Sequence, residues 1–203
     1  DLLRALDPAT QVIMVGDTQV GKTSLINCFN QVESGLTQPT VPVSTIACSL
    51  QVGDKTIHFN IWDTAGQENY KCLLPMYFRN SQLAVLVFDL SRNESYQNVD
   101  EWISYIREHL ECQIIIVGNK ADLPSEVDID AAKEKFAKSN YEFYITSATN
   151  GNGIDILFQS IALAVDQNSD RIEKPISTFQ QPVVHVAEII HLVCFLYSTS
   201  IIN

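Results

Sequence analysis

The sequence predicts an α/β fold: a doubly wound, mainly parallel sheet with helices on both faces. Three observations point there. Almost wholly apolar runs of strand length recur along the chain, as in Leu83 to Leu90 (LAVLVFDL) and Gln113 to Gly118 (QIIIVG). Segments with apolar residues at helical spacing alternate with them, which is the pattern of β-α units. Polar loops carrying glycine, aspartate or asparagine follow the runs directly, where ligands gather in open sheets of this kind.

Taken in order, Gln11 to Val15 is an apolar strand that stops at Gly16, and Lys22 to Gln31 reads as the helix after a short turn. Ile46 to Val52 and Thr56 to Trp62 are two strands around the turn Gly53-Asp54, and the alternation in HFNIWD supports the second. The runs at 83–90 and 113–118 lack that alternation, as strands buried on both faces do. Between them, Val99, Trp102, Ile103, Ile106 and Leu110 recur at helical spacing within Tyr96 to Leu110. Asp130 to Ser139 and Ile154 to Val165 are two further helices flanking a strand near Tyr141 to Thr146. No internal repeat or low-complexity segment interrupts the series.

Composition bounds the function. A chain of 203 residues, 46% hydrophobic and 18% charged, can fill one compact core. The domain is expected over residues 1–168, with a separate tail over 169–203. The net charge of −11 argues against a nucleic-acid surface or a polybasic membrane patch, both of which need dense Lys and Arg. Five cysteines stand singly, with no C-x-x-C pair, so reduced thiols in a cytoplasmic protein are expected. The first residues, DLLRALDPATQ, are too short and acidic for a signal peptide, and the missing initiator Met suggests a partial sequence.

Gly16-Asp-Thr-Gln-Val-Gly21-Lys22-Thr23 matches G-x-x-x-x-G-K-[ST] between a strand and a helix. Glycines let successive backbone N–H groups turn inward as an anion nest, and the helix start adds its dipole. Lys22 is expected at the β and γ phosphates, and the Thr23 hydroxyl on Mg²⁺. Asp63-Thr-Ala-Gly66-Gln67-Glu68 follows another strand: an acidic residue at that end fits the second metal-linked position. Gly66 can offer its N–H to a γ-phosphate, and the Gln67 amide can orient a water.

Asn119-Lys120-Ala121-Asp122 follows the strand QIIIV. The Asp122 carboxylate can accept from the N1–H and exocyclic amine of guanine, a donor pair that adenine lacks. Asn119 is expected to tie this loop to the phosphate loop, and the Lys120 stem to cover the base, beside Leu123.

In this order the pieces GDTQVGKTSL, IWDTAGQENY, MYFRNSQ, LVFDLS, NVDEWISYI, VGNKADL and TSA resemble Ras-like small GTPases from about Thr10 to Ala164, and within them the Rab family. The resemblance implies a P-loop NTPase G-domain with a six-stranded sheet of five parallel strands and one antiparallel. It also implies Mg²⁺ with GTP or GDP, slow intrinsic hydrolysis, and two switch segments. Exchange factors, GTPase-activating proteins and effectors would dock on those switches. Asp17, Thr18, Gln19, Val20, Gly21, Lys22, Thr23 and Ser24 would line the phosphates, with Lys22 and Gln67 catalytic. Thr40 matches the switch I threonine that joins Thr23 and Asp63 at the metal; Thr45 would leave the next strand too short. Pro42 and Ser44 replace residues that are usually Gly and Asp in Rab switch I. Ser147 and Ala148 match the second guanine loop, and Thr149 stands where the family usually has Lys.

No arginine in the switch stretches is an evident cis finger, so a partner is expected to supply one. Thr18 and Gln19 crowd the loop positions nearest the γ-phosphate, where glycine would leave more room. Leu73, Leu74, Met76, Tyr77 and Phe78 are expected to supply much of an apolar effector surface or to pack beneath switch II; Trp62 is core or interface.

The tail departs from the pattern. Asn203 ends the sequence and Cys194 lies far from it, so no prenylation motif is present and lipid anchoring is in doubt. Val183 to Ile202 is long enough to cross a bilayer. Glu188, His185 and His191 oppose insertion, one ionised group costing roughly 2.5–3.5 kcal/mol. A membrane anchor, a helix packed on protein, and an atypical terminus all remain open readings. The expected setting is cytoplasmic, with peripheral association at intracellular membranes.

Overall fold

The computed structural model describes residues 10–31, 43–64, 74–78 and 81–169, all within the chain unit Asp1–Ile172. Six strands form one sheet in the order β2-β3-β1-β4-β5-β6. They are β1 (Thr10–Val15), β2 (Val43–Val52), β3 (Lys55–Thr64), β4 (Ser81–Asp89), β5 (Gln113–Asn119) and β6 (Glu142–Ile145). Only β2 runs antiparallel, paired with β3 through the turn at Gly53; the remaining pairs are parallel. The helices are α1 (Lys22–Phe29), α2 (Leu74–Phe78), α3 (Asn93–Gln97), α4 (Val99–His109), α5 (Ile129–Lys138) and α6 (Ile154–Ser169).

The apolar runs are continuous because each strand feeds two cores. Val12 and Met14 of β1, Val85 and Val87 of β4, and Ile115 and Val117 of β5 face one cluster with Leu25, Phe158 and Ile161. Their neighbours Ile13, Val15, Leu86, Phe88, Ile114 and Ile116 face the other, with Trp102, Ile106 and Phe136. A period of two on a sheet covered on both sides leaves no polar position between. Each large side chain removed from water contributes on the order of 1.5–3 kcal/mol. α5 starts at Asp128, whose carboxylate accepts from the N–H groups of Asp130 and Ala131 at 3.1 and 3.0 Å. A cap of this kind is worth about 1 kcal/mol.

Three elements differ from the sequence expectation. The helix expected over 96–110 is two helices, α3 and α4, meeting at Asn98. The sequence marks α2 only as an apolar stretch. Within it Leu74 and Phe78 are buried at 2% and 0% exposure, so of the two expectations for them the packed one holds. Tyr77 is half-buried and its ring lies 4.9 Å from that of Trp62. Leu73, the side chain of Met76 and the segment after 169 lie outside the described residues. Among the described residues no helix is long and apolar enough to cross a membrane.

The sheet order turns at β1: β3 lies on one side and β4 on the other. The loop leaving the carboxyl end of β1 therefore opens at the switch point of the sheet.

Candidate nucleotide-binding site

That loop is 16–21. Lys22, at the start of α1, folds its ammonium back over the loop and donates to the carbonyls of Gly16 at 2.8 Å and Asp17 at 2.7 Å. It is 6% exposed. Burial lowers its pKa to about 8, against the carboxylates of Asp63 and Asp17, which raise it; the Arg92 guanidinium adds to the lowering. A buried ammonium that the surrounding protein charge does not fully compensate fits an anionic ligand. Gly21 caps α1 at φ 99 with no side-chain cap, and no acidic residue occupies the first turn. A helix start without a carboxylate suits phosphate. A Cβ on Gly21 would stand 2.3 Å from Asn119 Nδ2, so the loop and the strand end behind it approach as closely as only glycine allows.

Thr23 donates its hydroxyl to Asp63 Oδ2 at 2.6 Å. Asp63 lies near the end of β3, 1% exposed, and its Oδ1 is buried with no hydrogen-bond partner. Burial raises its pKa, against the Thr23 bond and the Lys22 charge. An orphaned buried carboxylate oxygen beside a hydroxyl fits a hard divalent cation. Among the described residues no group of three or more His, Cys, Asp or Glu could hold a metal. Mg²⁺ accepts so sparse a protein set, because it keeps waters and phosphate oxygens as its other ligands.

The loop leaving β5 is fastened to loop 16–21 by one side chain. Asn119, 1% exposed, donates Nδ2 to Val20 O at 2.9 Å, while its Oδ1 accepts from Thr146 Oγ1 at 3.1 Å and Ala148 N at 3.3 Å. Asp122 is exposed, and its Oδ1 accepts from Ser147 Oγ at 2.5 Å. That hydroxyl is the first reason its pKa falls below the ordinary carboxylate value. Lys120 takes φ 65 and pairs its ammonium with Asp89 Oδ2 at 2.7 Å. Burial acts to raise the Asp89 pKa, but the bonds from Lys120 and Ser91 outweigh it and the net shift is downward.

Residues 11–167 match the profile of the Ras family. The chain is also 36% identical over 156 residues to Ras-related protein Rab-11A of Dictyostelium discoideum, covering 74% of this chain and 73% of that one. It is a Rab-like small GTPase of the Ras superfamily.

Most residues expected at the nucleotide of this Rab-like protein cluster at the β1, β3 and β5 ends. Val20 is buried and offers its carbonyl to Asn119; Thr18 and Gln19 are exposed, and Gln19 takes the left-handed φ of 62. Ser24 and Ala148 are half-buried, while Leu123 and Thr149 are exposed, the Thr149 N–H resting 3.3 Å from Ser147 Oγ. Asp17 is in the loop, but its carboxylate accepts from Asn98 and Trp102 rather than facing a ligand. Thr45 sits inside β2 opposite Trp62. Thr40, Pro42, Gly66 and Gln67 lie outside the described residues.

Sequence reasoning assigned no role at the site to Asp89, Arg92 or Asn98, and gave Trp102 to the core face of a helix. Asp89 ends a strand on the ligand side of the sheet, which is a usable signal. The other three reach the loop across sequence separations of 74, 81 and 85, and no local pattern carries that.

Proposed function

We propose that this protein binds GTP and GDP with Mg²⁺, hydrolyses GTP slowly, and acts as a switch in vesicle and membrane trafficking. The observation that supports this best is the Asn119 bond to Val20 O at 2.9 Å. It joins a loop built for polyphosphate to a loop whose carboxylate meets a purine donor edge.

The reaction is in-line attack of water on the γ-phosphoryl group. A bond forms to the water oxygen, the bond to the β-phosphate oxygen breaks, and no covalent enzyme intermediate is needed. Catalysis is positioning and charge stabilisation. Lys22 holds the phosphates, its ammonium positioned by two bonds to loop carbonyls. Thr23 and Asp63 hold Mg²⁺, which when bound offsets charge on the phosphate oxygens. Gln67 orients the water. Asp122, whose carboxylate is held by the Ser147 hydroxyl, selects guanine over adenine. Thr40 and Gly66 hold their loops while a γ-phosphate is present, so hydrolysis releases the surfaces that regulators and effectors read. An activating partner supplying an arginine would add roughly 10³–10⁵ in rate.

A second reading is a G-domain that binds GTP and recruits partners without useful turnover. The left-handed, exposed Gln19 in the phosphate loop favours it. Analysis of the nucleotide carried through purification should find guanosine phosphates; none, together with equal competition by ATP, defeats both readings. Single-turnover phosphate release compared with Gln67→Leu separates the two. A faster wild type supports the hydrolase, and equal rates support the binding module.

A further inference from the structure

Asp17 is a phosphate-loop residue whose carboxylate is committed elsewhere. Oδ1 accepts from Trp102 Nε1 at 2.8 Å, and Oδ2 accepts from Asn98 Nδ2 at 2.8 Å. The next carbonyl along, Thr18 O, accepts from Arg92 Nη2 at 2.9 Å. All three donors belong to the short stretch from the start of α3 into α4. On its inner side the same loop is gripped by Lys22 through the carbonyls of Gly16 and Asp17. Residues 16–18 are therefore bonded from both sides.

The outer donors are fixed by packing. Trp102 is 4% exposed, belongs to the core cluster with Val99 and Ile106, and meets the Tyr105 ring edge-on at 6.1 Å. Its indole N–H cannot follow a shifting loop without disturbing that core. Asn98 sits at the junction between α3 and α4, so its amide is aimed by the break itself. Bonds to a charged acceptor are about twice as strong as neutral ones, and two of them converge here on one carboxylate. They also occupy a negative group that would otherwise turn toward polyphosphate, at a Coulombic cost.

We propose that Trp102 and Asn98 are positioning residues that hold the phosphate loop in its binding conformation through Asp17. The Trp102 indole then serves as an internal reporter of that loop. The inference rests on the guanine-nucleotide reading and adds a determinant of how long nucleotide stays bound.

The test uses the full chain and the fluorescent nucleotide N-methylanthraniloyl-GDP, with Trp102 emission read in a Trp62→Phe background. Asp17→Ala removes both acceptors; it should speed nucleotide release on the order of ten-fold and shift Trp102 emission, with or without nucleotide. Asp17→Asn keeps one uncharged acceptor for the indole and should restore part of both signals. Asn98→Ala, a milder change at a half-buried site, should give a smaller acceleration and serves if Asp17→Ala does not fold. Adding Trp102→Phe to Asp17→Ala should cost nothing further if the two act through one bond. Release equal to wild type in Asp17→Ala, or full additivity with Trp102→Phe, overturns the brace. So does an Asp17→Asn chain that behaves like Asp17→Ala. A wild-type chain that takes up no labelled GDP instead defeats the nucleotide reading, while the emission comparison without nucleotide still tests the Asp17–Trp102 bond.

Discussion

Gly21→Ala probes the junction on which the site depends. The new Cβ would lie 2.3 Å from Asn119 Nδ2, on a backbone at φ 99. The conformation alone costs a non-glycine residue about 1–2 kcal/mol. Relief of the clash requires Asn119 to move, and Asn119 is buried with three partners: Val20 O, Thr146 Oγ1 and Ala148 N. Leaving one buried polar group unsatisfied adds about 1–3 kcal/mol. The sum, about 2–5 kcal/mol, is a large fraction of the 5–15 kcal/mol typical of a whole domain. Gly53→Ala is the internal control, because Gly53 has φ 58 and its Cβ would meet nothing within 4 Å. It should cost about 1 kcal/mol, from the backbone alone. Urea unfolding with GDP at saturation gives both values. Release of labelled GDP should accelerate about ten-fold or more in Gly21→Ala, a factor that corresponds to about 1.4 kcal/mol, and stay unchanged in Gly53→Ala. Equal destabilisation and equal release rates in the two variants would refute the argument.

Ser147→Ala tests the base loop through pH. The Ser147 hydroxyl holds the Asp122 pKa below its ordinary 3.8, so the ionised carboxylate persists as pH falls and its contribution is lost only below that value. Without the hydroxyl the acid-side loss of guanine affinity should begin at higher pH, and superimposable acid limbs would contradict the assignment. Thr149→Lys restores a long aliphatic stem at an exposed position of the second guanine loop and should tighten nucleotide binding by about 1 kcal/mol on contact-area grounds; no gain in measured affinity means the contact is misjudged. Gln19→Gly relieves a left-handed residue at φ 62. The relief of about 1–2 kcal/mol is partly offset by about 0.4–1 kcal/mol of added unfolded-chain freedom, so the unfolding midpoint should change little. Single-turnover hydrolysis should rise, and an unchanged rate would clear Gln19 of crowding the γ-phosphate.

The strands and most helices were legible because both cores are written as periodicity: Ile13 and Val15 alternate with Val12 and Met14, and that alternation survives only if both faces are covered. The split at Asn98 was not legible, since no glycine or proline marks it anywhere in 93–109. Leu74 and Phe78 show the converse limit. A short apolar stretch reads the same whether it faces a partner or its own core, and only packing shows that both are buried. Lys22, Thr23, Asp63, Asn119 and Asp122 were legible as candidates because each lies in a local motif whose spacing follows strand-end geometry.

By itself the sequence determined what is local: the alternation of strands and helices, and the motifs at 16–23 and 119–122 that follow strand ends. Tertiary structure alone decided which distant groups meet those loops. Asp89 meets Lys120, Arg92 meets Thr18 O, and Asn98 and Trp102 meet Asp17. The physical reason is range. Backbone preference and side-chain periodicity act over a few residues, whereas a hydrogen bond between residues 85 apart exists only once packing has fixed α4 against the sheet.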